Sequence, residues 1–195
     1  MNRTWNFEKG AWQAEDFLSA ASSRVEYRLT FGQKDDCIHN EGADKMDEYA
    51  YVSMVHRTPV SLPCLLETEC SFRTYGAPLL ILADAVDTLP DGRLQYSHHI
   101  EVVGWEKGIN VWDLTPDPEA PNGQRTVNLG RFSFPIEDGA RFLLTARADR
   151  QGLVVGAEVN GRSAQFDCPC VLPEKCYVGI TACEGENYFY RFSIR

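Results

Sequence analysis

Along the second half of the chain, apolar and polar side chains alternate with a period of two. Ile109-Asn110-Val111-Trp112-Asp113-Leu114, Val154-Val155-Gly156-Ala157-Glu158-Val159 and Phe189-Tyr190-Arg191-Phe192-Ser193-Ile194 all follow it. Successive strand side chains point to opposite faces, so the pattern marks sheets that bury one face in a core. Asn160-Gly161 lies between two such runs and matches the type I′ hairpin turn, whose central residues both need positive φ.

The same reading predicts strands at Tyr49–Val55, Leu65–Tyr75, Leu79–Val86, Gln95–Trp105 and Ile109–Leu114, then at Arg141–Asp149, Gly152–Val159, Arg162–Phe166, Tyr177–Cys183 and Tyr188–Ile194. An earlier strand is expected at Arg24–Phe31, after a short helical turn within Glu15–Ala21. Leu89-Pro90-Asp91-Gly92-Arg93, Glu106-Lys107-Gly108 and the proline-bearing stretch from Thr115 to Gly123 read as turns and connections. No helix-length series separates the strands, as a parallel sheet with crossover helices would require. The expectation is an all-β sandwich of two antiparallel sheets, with residues 1–195 as a single domain.

Three passages carry a resemblance to a known family. They are His99 to Trp105 with Gly108 to Trp112, Phe142 to Asp149 followed by Leu153 to Val159 and its Asn-Gly turn, and Tyr177-Val178-Gly179-Ile180-Thr181-Ala182-Cys183 running through Glu184-Gly185-Glu186 into the terminal strand. Their order resembles the concanavalin A-like lectin/glucanase jelly roll, including its laminin-G-like and glycosidase-associated modules. Trp5-Asn6-Phe7 to Trp12 would supply the matching N-terminal edge. The resemblance implies a jelly-roll fold in which one sheet offers a surface for a glycan. Fold analogy by itself assigns no activity.

Composition narrows the partners. The 195 residues carry a net charge of -9, which disfavours nucleic acid and an anionic membrane surface as partners. No stretch approaches the ~18 continuous apolar residues of a spanning helix. Met1 to Glu8 has no apolar run of a secretory signal, so a cytoplasmic location is expected if Met1 is the natural start.

Glu67 and Glu69, with Thr68 between them, would share one strand face with Cα atoms roughly 6.6 Å apart. Such a spacing permits an acid/base pair for glycoside hydrolysis. The glucanases that this chain resembles carry a longer signature with an aspartate between their glutamates, and that aspartate is missing here. The alternative is a polar strand face turned to water. His98 and His99 are adjacent and would point to opposite faces, which disfavours a joint site. Asp87, Asp91 and Asp117 are loop oxygen donors of the kind calcium prefers, or simply acidic turns. Seven cysteines, including Cys168-Pro169-Cys170, fit reduced buried thiols better than a zinc site, whose ligand spacing differs. No cofactor is expected.

The leading candidate surface combines His99, Glu101 and Trp105, of one parity on their strand, with Asn110 and Trp112 on the next. Tryptophan faces stack on pyranose rings while amide and carboxylate groups orient hydroxyls. The competing reading places both tryptophans in the core. The expected function is non-catalytic binding of a neutral oligosaccharide or polysaccharide. The alternatives are a divergent glycoside hydrolase using Glu67 and Glu69, and a protein-interaction module.

Overall fold

The computed structural model describes residues 2–23, 30–40 and 51–195. Its strands are β1 (Arg3–Asn6), β2 (Phe17–Ser19), β3 (Phe31–Gln33), β4 (Ile38–Asn40), β5 (Tyr51–His56), β6 (Val60–Ser61), β7 (Cys64–Arg73), β8 (Ala77–Ala83) and β9 (Val86–Thr88). They continue with β10 (Leu94–Tyr96), β11 (His99–Trp105), β12 (Gly108–Pro116), β13 (Gln124–Ser133), β14 (Phe142–Asp149), β15 (Gly152–Val159), β16 (Arg162–Pro169), β17 (Lys175–Cys183) and β18 (Glu186–Ile194).

Among the described residues these form two eight-stranded antiparallel sheets and one small hairpin. The first sheet runs β16-β15-β14-β7-β18-β4-β3, with β1 also on β18. The second runs β13-β12-β11-β8-β17-β5-β2, with β6 also on β17. The protein is therefore an all-β, jelly-roll-like sandwich. Its helical content among the described residues is the 3-10 turn Ala14–Asp16, which overlaps the helical turn expected within Glu15–Ala21 only at Glu15 and Asp16; Phe17–Ser19 is instead strand β2.

The alternation explains the layers. Leu66, Cys70, Leu144, Ala146 and Val155 point inward from the first sheet, and Leu80, Leu82, Ile100, Val102, Val111 and Ile180 meet them from the second. Fully burying each large aliphatic side chain contributes about 1.5–3 kcal/mol, so this interface dominates the fold. The chain's start is stitched to its end. Trp5 pairs in register with Phe192 and stacks on it at 5.7 Å. The Trp5 indole and Arg3 both donate to Asp16 Oδ2, at 2.8 and 2.6 Å. Asn160 and Gly161 take φ of 51° and 73°, as their turn type demands.

Two expectations need correction. Gln95–Trp105 is not one strand: β8 and β11 pair from Ala83 and His99 onward, and residues between them fold out as the β9–β10 hairpin. β13 had no counterpart in the sequence reading, because its edge position leaves Arg125 to Asn128 exposed and erases the alternation. Of the strand expected at Arg24–Phe31, residues 24–29 lie outside the described residues; Phe31 opens β3.

The hairpin has a structural role. It lies on the outer face of the second sheet, where Val55, Ile81, Ala83, Tyr96 and Ala20 form a second buried cluster. Beneath it Ser53 Oγ is 2.6 Å from the Tyr96 hydroxyl and 2.5 Å from Thr181 Oγ1. A strap, Ala20 to Ser23, leaves β2 and crosses the same face. Ala21 bonds the hairpin backbone at Leu94 and Tyr96, and Ser22 and Ser23 donate to Gln124 at the start of β13. β2 and β13 are the opposite edges of the sheet's main path. Six interstrand steps would span about 29 Å on a flat sheet. The three peptide units from Ser19 to Ser22 plus two side chains reach roughly 20 Å at full stretch. The second sheet must therefore curl toward this face, making it a trough. Among the described residues no helix is long and apolar enough to cross a membrane.

Candidate functional site

The part of the trough beyond the hairpin and strap holds an open pocket of about 410 Å³. Register builds it. On β11 and β12, Glu101 lies opposite Trp112 and Val103 opposite Asn110, so the outward residues of both strands share the trough face. Their alternate partners Ile100, Val102, Ile109 and Val111 are wholly buried in the core. Ala77 and Leu79 of β8 and Thr126 of β13 complete the floor and side. Gly108, at φ 138°, closes the turn after Trp105; a Cβ there would lie 2.1 Å from the Phe132 carbonyl oxygen.

Two interlocked turns form the mouth. Thr74 and Tyr75 both take left-handed φ, 53° and 62°, and Glu184 takes 56°. A Cβ on Gly185 would lie 2.1 Å from the Thr74 carbonyl oxygen, and one on Gly76 would lie 2.3 Å from that of Glu186. These two glycines let the turns approach so closely. Consecutive left-handed residues cost free energy, and here they hold the Tyr75 ring at the pocket rim, 62% exposed.

Four of the five residues expected to form the ligand surface line this pocket: Glu101, Trp105, Asn110 and Trp112. His99 shares their face but is fully buried, packed on Tyr96 at 5.4 Å with Nδ1 2.9 Å from the Ser97 carbonyl oxygen. Its Nε2 is 3.8 Å from Glu101 Oε1. Both tryptophans are partly exposed and belong to the pocket wall rather than the sealed core. Glu101 is only 2% exposed and accepts a hydrogen bond from the Tyr51 hydroxyl at 3.0 Å. Glu106 and Glu184 add carboxylates to the lining.

Glu67 and Glu69 lie elsewhere. They share the outer face of β7, in the other sheet, while Leu66 and Cys70 on either side of the pair face the core and Thr68 between them is buried. Glu67 Oε2 is 3.1 Å from Arg195, and Glu69 is 3.8 Å from Arg141 and 4.0 Å from Arg191. Neither lines the trough pocket. Among the tyrosines, Tyr75 is at the rim, Tyr96 is sealed beneath the hairpin, and Tyr188 is on the first sheet beside His39.

Of the remaining candidates, His98, Asp91 and Asp117 have structural partners. His98 does point away from His99's surroundings: its Nδ1 is 2.9 Å from Asp84 and its Nε2 3.2 Å from Asp113. The hydrogen bond with Asp84, then the charges of both carboxylates, raise its pKa above the ordinary 6.5 against an opposing desolvation. Asp91 and Asp117 accept backbone N–H bonds within their own turns, at 3.0 Å each. Among the described residues no group of three His, Cys, Asp or Glu side chains is placed to hold a metal ion. The seven cysteines are free thiols, all buried except the partly exposed Cys170.

Sequence reasoning missed Arg131. Its Nε donates to Asn110 Oδ1 at 2.9 Å, and its guanidinium carbon lies 6.0 Å from the centre of the Trp105 ring, which Lys107 also approaches at 5.2 Å. A β-bulge puts it there. Trp112 pairs with Asn128, but Val111 pairs with Gly130, so Leu129 is an extra residue. Regular alternation would turn Arg131 inward. No periodicity argument could have placed it.

Comparison with solved structures gives the fold a name. The chain is similar to the carbohydrate-binding module CBM66 from Bacillus subtilis, at a TM-score of 0.60 and 11% identity over 89% of this chain and 91% of that one. It is similar to the VIP36 exoplasmic/lumenal domain in its Ca2+/Man3GlcNAc-bound form, at 0.56 and 13% identity over 98% and 87%. It is also similar to beta-agarase A in complex with oligoagarose, at 0.59 and 7% identity over 99% and 88%. No family model and no curated protein matches the chain. The fold is the concanavalin A-like jelly roll, shared by sugar-binding and sugar-cleaving proteins. The cytoplasmic expectation is corrected by these matches, whose stated settings include an exoplasmic/lumenal domain; the first residues of the chain give no ground for it.

Proposed function

We propose that the protein binds a carbohydrate in the trough pocket and does not cleave it. One observation carries the reading: Trp105, Trp112 and the exposed Tyr75 surround a 410 Å³ pocket that also contains Glu101 and Asn110. Small-ligand pockets span roughly 300–1,000 Å³ and combine apolar walls with a few directional polar groups. Flat aromatic faces suit the C–H face of a pyranose, and an adjacent carboxylate and amide suit its hydroxyls. The likeness in fold to a carbohydrate-binding module and to a lumenal domain in a Man3GlcNAc-bound form supports the same reading. The proposed ligand is neutral, because the carboxylates lining the pocket oppose an anionic sugar.

A glycan array followed by calorimetry tests it. The expected result is saturable binding of a neutral glycan, weakened more than tenfold by Trp105→Ala or Trp112→Ala with the circular dichroism spectrum unchanged. Absence of binding across diverse neutral glycans by folded protein would refute it. The hydrolase alternative draws support from a different set of acids than Glu67 and Glu69, since Glu101, Glu106 and Glu184 meet in one pocket. Release of reducing ends from a bound glycan, abolished by Glu101→Gln, would replace binding by hydrolysis.

A further inference from the structure

The Asn110 side chain has one settled orientation. An arginine Nε–H can only donate, so the Asn110 atom 2.9 Å from it must be the carbonyl oxygen Oδ1. The Nδ2 group then faces away from Arg131. Asn110 is 7% exposed and lines the pocket, and among the described residues no side chain or backbone group accepts from its Nδ2. The amide therefore turns its Nδ2 donors away from Arg131 and toward the pocket, with Oδ1 already engaged by the guanidinium. Glu101, diagonally across on β11, offers carboxylate oxygens.

The local backbone and one neighbouring ring place Arg131 for this. The bulge at Leu129 directs Leu129 toward the core and swings Arg131 to the trough face, opposite Asn110. Bulges re-aim side chains in this way beside functional sites. Gly130 permits the local approach of the sheets, since a Cβ there would lie 2.7 Å from the Phe166 ring. The guanidinium also lies near the Trp105 indole. Arg131 thus touches both an amide and an aromatic wall of the pocket without itself lining it.

We propose that Arg131 is a positioning residue that fixes Asn110 as a donor toward the ligand and steadies Trp105. This gives the site a polarity: the ligand oxygen at Asn110 must accept, and the hydroxyl at Glu101 must donate. The role in binding rests on the carbohydrate reading above; the orientation of Asn110 does not.

Nitrogen-15 NMR separates the two. In the unaltered protein the Asn110 side-chain amide should give a rigid pair of signals, with a heteronuclear NOE close to backbone values, and the Arg131 Nε–H should exchange slowly. Arg131→Gln and Arg131→Lys should both mobilise the Asn110 amide, since lysine keeps the charge but lacks the planar fork. Asn110→Asp should retain the slow Arg131 Nε–H, because a carboxylate still accepts, whereas Asn110→Ala should lose it. An Asn110 amide equally rigid in Arg131→Gln, with the fold intact by thermal melting, overturns the proposal whether or not a glycan is found. With a glycan from the array, Asn110→Asp should lose binding although the clamp persists, and Arg131→Gln should weaken it roughly five- to tenfold, the size of one hydrogen bond. Full affinity in Asn110→Asp would overturn the donor role alone.

Discussion

The Tyr51 hydroxyl reaches from β5 across β17 and β8 to Oε1 of Glu101 on β11, at 3.0 Å, so two strands separated by two others share one buried hydrogen bond. The donor supports a carboxylate that is 2% exposed in the pocket wall. Tyr51→Phe removes that donor while keeping the ring. Losing a hydrogen bond to a buried charged group costs about 1.5–3 kcal/mol. The expected outcome is a lower denaturant midpoint at unchanged m-value. An unchanged midpoint would show that Glu101 draws its support from elsewhere.

His98 ties the start of β11 to Asp84 beyond β8 and to Asp113 on β12. Its pKa in the folded state is raised above 6.5, first by the hydrogen bond with Asp84. A group whose pKa rises on folding contributes stability that is full below its unfolded pKa and is lost as pH rises through the folded pKa. Unfolding free energies measured from pH 5.5 to 8.5 should therefore include a component that falls with rising pH, and His98→Asn should remove that component. An imidazole titration by NMR with a midpoint at or below 6.5 would contradict the geometry.

Gly104 lies on β11 next to Trp105 but faces the core, where an added Cβ would come within 2.7 Å of the Phe142 ring in the opposite sheet. Gly104→Ala should cost about 1–3 kcal/mol by overpacking. A melting temperature equal to that of the unaltered protein would mean that Phe142 moves aside freely.

Cys170 is the partly exposed thiol, and burial pushes its pKa up to about 11. The neighbouring Cys176 is pushed to about 12 for the same reason. Mass spectrometry after native alkylation should find slow modification at Cys170 alone, and at all seven cysteines once the protein is unfolded. Rapid native labelling of Cys64 or Cys176 would be inconsistent with this packing.

Much of the sandwich was legible because strands with one buried face write their orientation into the chain. Ile109 to Leu114 announced both its strand and its pocket-facing residues, Asn110 and Trp112. β13 was not legible, since an edge strand exposed on both sides from Arg125 to Asn128 has no face to encode. The pocket's four predicted residues came from parity along two strands that carry the jelly-roll resemblance. His99 obeyed the same parity, yet the β9–β10 hairpin buried it, and parity carries no information about what a distant segment covers. Arg131 violated parity through a bulge, and Tyr75 stands on a turn whose left-handed residues are neither glycine nor asparagine.

The strap from Ala20 to Ser23 behaves as a bowstring. It joins the two limbs of a bent sheet through Ser22 and Gln124, and Gln124 Nε2 in turn lies 3.3 Å from Thr126 on the pocket wall. A string of fixed length sets the bend of its bow. Ligand size would then be governed partly by residues that never meet the ligand: one residue inserted at Ala21 should slacken the arc and widen the pocket, and a structure of that variant with unchanged pocket width would show that the bend is intrinsic to the strands.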